Sequence, residues 1–172
     1  MSARGTDLET TLKDGTRVRI RPIQPEDDHA LVEIFSRLSP QAVYQRFFTA
    51  LPELTPGMAR YLSHVNYHSR MAVVAEAAGE LVGVGRYERT PDPEVVELGL
   101  VVVDDWQNRG LGRILLRETM RAAQENGIHR FRADVLSDNR RMIHLLATEA
   151  EIVSRKTEAG VTTFLLKSNQ IS

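Results

Sequence analysis

One stretch constrains this chain more than any other: a β-branched run, closed by two acids, that leads into two glycines one residue apart. From Val95 to Leu116 it reads Val-Val-Glu-Leu-Gly-Leu-Val-Val-Val-Asp-Asp-Trp-Gln-Asn-Arg-Gly-Leu-Gly-Arg-Ile-Leu-Leu. The apolar run predicts a buried strand over roughly Val95–Val103. Asp104-Asp105 ends it, and a helical pattern starts near Gly110. Between them, Gln107-Asn108-Arg109-Gly110-Leu111-Gly112 forms a strand-to-helix turn. Glycines there let the backbone take positive φ and let another group approach closely. A helix start also presents free N–H groups and the positive end of its macrodipole, which suits a phosphate or pyrophosphate. An ordinary tight turn would use the same two glycines. The pattern is neither the Gly-x-Gly-x-x-Gly dinucleotide fingerprint nor a Walker A loop.

The rest of the chain supplies one domain's worth of alternating elements. A hairpin signal spans Thr11 to Ile23, with Lys13-Asp14-Gly15-Thr16 as its turn and Val18 and Ile20 alternating with arginines. Met1–Thr10 reads as a loose end and residues 169–172 as a tail, leaving residues 11–168 as a single domain. Pro25-Glu26-Asp27-Asp28 opens a helix carrying Leu31, Ile34, Phe35 and Leu38. Ser39-Pro40 opens a second, and Thr55 to about Val65 a third. Met71–Glu76 and Glu80–Glu88 read as a hairpin around Ala77-Ala78-Gly79. On its second strand, Gly83 and Gly85 point to one face, as a bulge, as room for a ligand, or as tight packing. The helix after the phosphate turn stops near Asn126-Gly127. Arg130–Leu136 is a strand, Ser137-Asp138-Asn139 caps a further helix, and Ile152–Lys156 and Val161–Leu166 close the chain.

Composition narrows the class of activity. A formal net charge of −1 over 172 residues gives no electrostatic case for nucleic acid. No run approaches the ~20 apolar residues of a membrane helix, and Met1–Glu9 lacks the apolar core of a secretory signal, so a cytoplasmic setting is expected. With no cysteine in the chain, a thiolate metal site and a cysteine nucleophile are both excluded, and no metal is expected.

Gln-x-x-Gly-x-Gly directly after a valine-rich strand resembles the acyl-CoA-binding motif of the GNAT acetyltransferase superfamily. The segment Leu38-Ser39-Pro40-Gln41-Ala42-Val43-Tyr44-Gln45-Arg46-Phe47-Phe48 resembles the start of the GNAT domain in bacterial Pat-type protein lysine acetyltransferases. The resemblance covers nearly all the chain after Leu12. It implies an α+β GNAT fold: a mixed, mostly antiparallel sheet, splayed at a cofactor cleft, with helices on both faces. It implies acetyl-CoA as co-substrate, held by Val101, Val102 and Val103 on the strand and by Gln107, Asn108, Arg109, Gly110, Leu111, Gly112 and Arg113 at the turn. It also implies Asn139 as a CoA contact, although capping alone would explain that residue. Arg117 and Arg121, continuing the i+4 row from Arg109 and Arg113, read as a solvated face. The helix–loop–helix region after Leu38 is expected on the acceptor side.

The acceptor is expected to be an amine, a protein lysine among the candidates; oligomeric state is open, a dimer included. Glu97, seven residues before Asp104, stands where Pat-type enzymes place their general base; an outward-facing edge glutamate would look the same. The oxyanion would be held by a backbone N–H near Val101. One departure is clear. Many GNAT enzymes carry a tyrosine as general acid on the helix after Asn139, followed by Gly-Phe, and here that helix has neither. His144 is its one proton-capable aromatic. Two other readings stay open: a GNAT enzyme for small amines, and a non-catalytic CoA-binding module.

Overall fold

A computed structural model describes residues 7–169. The first strand, β1 (Leu8–Thr11), turns through Lys13-Asp14-Gly15-Thr16 into β2 (Arg17–Pro22). Gly15 takes φ 89°, and Asp14 accepts the Thr16 N–H at 2.9 Å. The loose end expected over residues 1–10 therefore stops short, since Leu8 pairs with Ile20 and Thr10 with Val18. The interleaved polar residues of Leu8-Glu9-Thr10-Thr11 belong to an edge strand, whose outward side chains mask its period. Residues 1–6 and 170–172 lie outside the described residues.

A single 3-10 turn (Pro25–Asp27) leads into α1 (Asp28–Ser36), followed by α2 (Pro40–Phe47) and α3 (Pro56–Ser63). Each of the last two begins as the sequence dictates, with proline at the first position and a hydroxyl cap. Ser39 accepts the Ala42 N–H at 3.1 Å, and Thr55 accepts that of Met58 at 3.2 Å. Then come β3 (Met71–Ala77), β4 (Glu80–Arg89), β5 (Val95–Val102), α4 (Leu111–Glu125), β6 (Arg130–Leu136), α5 (Arg140–Glu149), β7 (Ala150–Glu158) and β8 (Val161–Ser168). The closing pair is longer than its apolar stretches suggest, because β7 is an exposed edge strand whose polar residues carry no burial signal.

The eight strands form one sheet in the order β1-β2-β3-β4-β5-β6-β8-β7. All neighbours are antiparallel except β5 and β6, which pair in parallel only at Val95–Glu97 with Arg130–Arg132. Past Glu97 they part. β5 stays with β4 as far as Val102, while β6 stays with β8 as far as Leu136. The expected splayed, mixed sheet is thus present, and the opening begins at Glu97.

Helices cover both faces. On one, Leu111, Leu115, Leu116 and Met120 of α4 pack with Tyr87, Phe131, Phe164 and Leu146. On the other, Leu31 and Ile34 of α1 and Ala59 of α3 pack with Ile23, Val74, Val84 and Val103. Each such aliphatic side chain contributes about 2 kcal/mol on burial. The two glycines of β4 serve packing rather than a ligand. A Cβ at Gly85 would lie 2.3 Å from Oγ1 of Thr119 and 3.1 Å from the Leu115 carbonyl, so α4 rests directly on the strand. The sheet's register shifts lie elsewhere, between Ala75 and Glu76 of β3 and between Ile152 and Ser154 of β7. Among the described residues, no helix is long and apolar enough to cross a membrane.

Candidate active site

The gap between β5 and β6 is the centre of a cleft of about 800 Å³. Its walls come from α2, from the starts of α4 and α5, and from the β1–β2 turn, whose Lys13 lies beside Gly110. The start of α2 is tied to the end of β5 by the Ser39 N–H, which donates to Asp104 at 3.0 Å.

At one end of the cleft lies the turn Gln107–Gly112. Asn108 and Gly110 both take left-handed conformations, at φ 63° and 90°, which a short polar side chain and a glycine tolerate. The turn aims the unpaired amides of α4's first residues at the cleft. The two glycines do different work. Gly110 supplies the conformation, whereas Gly112 is helical and supplies room: a Cβ there would sit 3.7 Å from both Leu100 and Leu145. Leu111, expected among the cofactor contacts, has its side chain wholly in the core, so only its amide faces the turn.

Arg109 stacks on Trp106 at 4.1 Å and donates to Asp14 at 2.7 Å and to Thr16 at 2.9 Å. It therefore fastens the turn to the first hairpin. Hydrogen bonds from the Thr16 hydroxyl and amide, then from Arg109, hold the Asp14 carboxyl down to about 2. Arg113 lies 3.3 Å from Glu149. Arg117 pairs with the same glutamate and Arg121 with Glu118. Lys13, Arg140 and Arg141 join Arg109 and Arg113 along this rim; the sequence reading passed over these three because they arrive from a separate hairpin and helix. Asn139 lines the cleft and also caps α5, its oxygen accepting the Met142 N–H at 3.2 Å.

The middle of the cleft is the free edge of β5. Here the expectation needs correction. The Val103 N–H donates to the Val82 carbonyl at 3.0 Å. Bonded pairs alternate along an antiparallel ladder, so Val101, opposite Val84, also turns its backbone to β4. Val103 is buried in the core and outside the cleft. The backbone groups that face the opening belong instead to Leu100 and Val102. The Val102 carbonyl already accepts a hydrogen bond from Nε2 of Gln107 at 3.0 Å, leaving its N–H and both groups of Leu100. The amides open to the cleft near Val101 are therefore those of its two neighbours.

The far end is charged as well. Glu97 stands where the strands part, half exposed, with Arg132 of β6 at 3.9 Å. Behind it, Glu88 accepts from Arg70 at 2.7 Å and from Arg86 at 3.0 Å. Burial, with Arg46 nearby, brings the Arg86 guanidinium down to about 10, so it stays a cation at neutral pH. Arg46, from the last turn of α2, lies against Gly99: a Cβ there would be 2.8 Å from one of its terminal nitrogens. Burial pulls its guanidinium below the ordinary value, opposed by the charges of Glu97 and Glu88. α2 ends at Phe48, a cleft residue in the left-handed conformation at φ 59°, uncommon for an aromatic. His144 lines the opposite wall on α5.

Comparison with known proteins fits this geometry. A model described as the acetyltransferase (GNAT) family matches residues 30–148. The acetyltransferase PA5475 of Pseudomonas aeruginosa is 32% identical over 136 residues, covering 77% of this chain and 73% of that protein. The acetyltransferase Pat of Mycolicibacterium smegmatis is 28% identical over 140 residues; the match takes in 80% of this chain but 42% of that longer protein. Among solved structures, the GNAT domain of S. lividans PAT superposes with a TM-score of 0.85 at 29% identity, covering 94% of this chain and 96% of the domain. The protein yncA of Salmonella typhimurium, solved with its cofactor acetyl-CoA, shares the fold at a TM-score of 0.73 and 21% identity, covering 90% and 96%.

Proposed function

Because the chain belongs to the GNAT family of N-acetyltransferases, we propose that it transfers the acetyl group of acetyl-CoA to a protein lysine by direct attack within a ternary complex. The observation that carries this reading is the vertex of the sheet, where a carboxylate, a free strand edge and a phosphate-suited turn lie along one cleft. CoA's pyrophosphate sits on the amides of the Gln107–Gly112 turn, within the rim of Lys13, Arg113 and Arg141. Its pantetheine arm lies along Leu100 and Val102 in the manner of strand addition, which brings the thioester towards Glu97. The sheet from β1 to β8, with its helices, acts as the single domain for this, and the reading carries a cytoplasmic setting with it.

The chemistry asks little of the protein beyond position and charge. A lysine ammonium ionises near 10.4, so Glu97 takes one proton from it. The freed nitrogen attacks the thioester carbonyl, and the oxyanion is held by an open β5 amide. Collapse breaks the C–S bond and expels the CoA thiolate, which takes the second proton from the nitrogen and leaves as the free thiol. No enzyme nucleophile is needed, in keeping with a chain that has no cysteine. The kinship with Pat proteins favours a protein lysine as acceptor. The test is thiol release from acetyl-CoA with lysine-bearing proteins, peptides and small amines. Turnover confined to small amines would replace the lysine reading.

A further inference from the structure

We propose that Arg46 is the acceptor-selecting residue of this enzyme and binds a carboxylate carried by the acceptor next to the amine that is acetylated. The inference rests on the amine-transfer reading above and deepens it.

Four arginines gather at the Glu97 end of the cleft, and three are engaged within the chain, Arg132 with Asp134 at 3.1 Å. Arg86 donates to Glu88 and to the Leu62 carbonyl at 2.7 Å. Arg70 donates to Glu88 and to the carbonyls of His64 and Tyr61 at 3.0 and 3.2 Å, and lies 4.0 Å over the Tyr61 ring. Arg46 differs. Among the described residues its one close partner is the Phe47 ring at 5.1 Å, and no hydrogen bond or ion pair reaches it. Its guanidinium lies flat on Gly99: a Cβ there would be 2.8, 3.0 and 3.2 Å from Nη2, Cζ and Nε. A side chain at position 99 would displace it, so this strand residue and this arginine fit as a pair.

Gly99 shares a strand face with Glu97, two residues away, and both line the cleft with Arg46. The guanidinium therefore stands beside the amine's site of deprotonation. Four guanidiniums there, Arg132 included, face three carboxylates, Glu88, Glu97 and Asp134. One positive charge is left over. A half-buried guanidinium with no partner is costly, and its planar fork fits a carboxylate bidentately. A monoanion balances the excess, whereas the phosphate-suited turn lies at the other end of the cleft. The same cation disfavours a protonated amine beside it, which eases proton loss to Glu97. It also repels cationic acceptors that bring no carboxylate.

Such a carboxylate has two sources, an acidic side chain flanking a protein lysine or the α-carboxylate of a small amino acid. Four acceptors separate them: a capped pentapeptide with its central lysine between glutamates, its glutamine counterpart, free lysine, and 1,5-diaminopentane. In the wild type, kcat/KM for at least one carboxylate member should exceed its partner's by ~10–100-fold, the range of a charge-assisted hydrogen bond. Arg46→Gln should bring that ratio close to one, and Arg46→Lys should restore part of it. A wild type that does not discriminate, or an Arg46→Gln variant that still does, overturns the proposal. Because each ratio is taken within one protein, general loss of activity does not imitate the result. If no amine is acetylated, the transfer reading fails. Equilibrium binding of the two peptides to the CoA-loaded protein then decides on Arg46 alone, since equal affinities overturn the proposal and a glutamate preference lost in Arg46→Gln sustains it.

Discussion

Arg141 donates a hydrogen bond to Oε1 of Gln107 at 2.9 Å, while Nε2 of the same glutamine donates to the Val102 carbonyl. One side chain thus spans the mouth of the cleft, from the free edge of β5 to the first turn of α5. It holds the walls together where β5 and β6 no longer pair.

Gln107→Ala is expected to loosen that span. Losing two hydrogen bonds of about 1 kcal/mol each should weaken acetyl-CoA binding by up to roughly 30-fold, measured by calorimetry. An unchanged affinity would detach Gln107 from the cofactor cleft.

Ligand binding should be visible on one set of strand amides and not the other. Hydrogen exchange at Leu100 and Val102 is expected to slow when acetyl-CoA binds, because these groups face the opening. Val101 and Val103, already paired with β4, should be protected without ligand. The reverse pattern would rule out strand addition along β5.

Gly112→Val should abolish CoA binding in a protein that remains folded, since the added methyls fill the space between Leu100 and Leu145. Gly110→Ala makes a different change. Room is available there, but φ 90° strains an alanine by about 1–2 kcal/mol, so thermal stability should fall as well. Calorimetry and melting curves on both variants separate the two effects; wild-type affinity in Gly112→Val would remove the pyrophosphate assignment.

Glu97→Gln keeps the shape of the proposed base and removes its proton affinity. The rate should drop by ~10²–10⁴-fold with acetyl-CoA affinity nearly unchanged. Raising the pH should recover part of the loss, because more of the acceptor amine is already neutral. A Gln variant matching the wild type near pH 7 would make Glu97 structural.

Glu118 offers a test of stability away from the cleft. Burial raises its carboxyl, Arg121 at 3.3 Å opposes that, and Glu125 adds to the rise. A group harder to ionise in the folded state contributes stability at low pH that is lost as pH rises from its unfolded value, ~4.3, through the raised folded value. Glu118→Gln does not titrate. Its melting temperature relative to the wild type should therefore be higher at pH 7.5 than at pH 4; a gap that stays constant would contradict the sign.

The sequence revealed the parts of the site that local chemistry dictates. The valine run, the acids that end it and the Gly110–Gly112 turn each carry a backbone requirement, so strand, turn and helix could be placed within a residue or two. The splay followed from resemblance, and its starting point at Glu97 came with the register. Which backbone groups face the cleft depends on ladder parity, and composition is silent on that: Val101 lines the cleft but, like Val103, turns its backbone to β4. Arg46, Lys13 and Arg141 converge from three separate elements, and only tertiary structure brings them together. β1 escaped notice because a four-residue edge strand buries too little to leave a period.

The contact of α4 with Gly85, backbone against hydroxyl with no side chain between, makes the cofactor half of the molecule a single casting. The turn that opens α4 and Glu97 on β5 are held in register through that joint, so a change in how α4 seats on β4 moves one relative to the other. α2 is attached differently, by the cap at Ser39 and by an arginine lying on a glycine, and its residues can be exchanged while the casting stays as it is. New acceptors for this enzyme are therefore to be sought by rewriting Gln41, Gln45 and Arg46, with the acetyl-donating half left untouched.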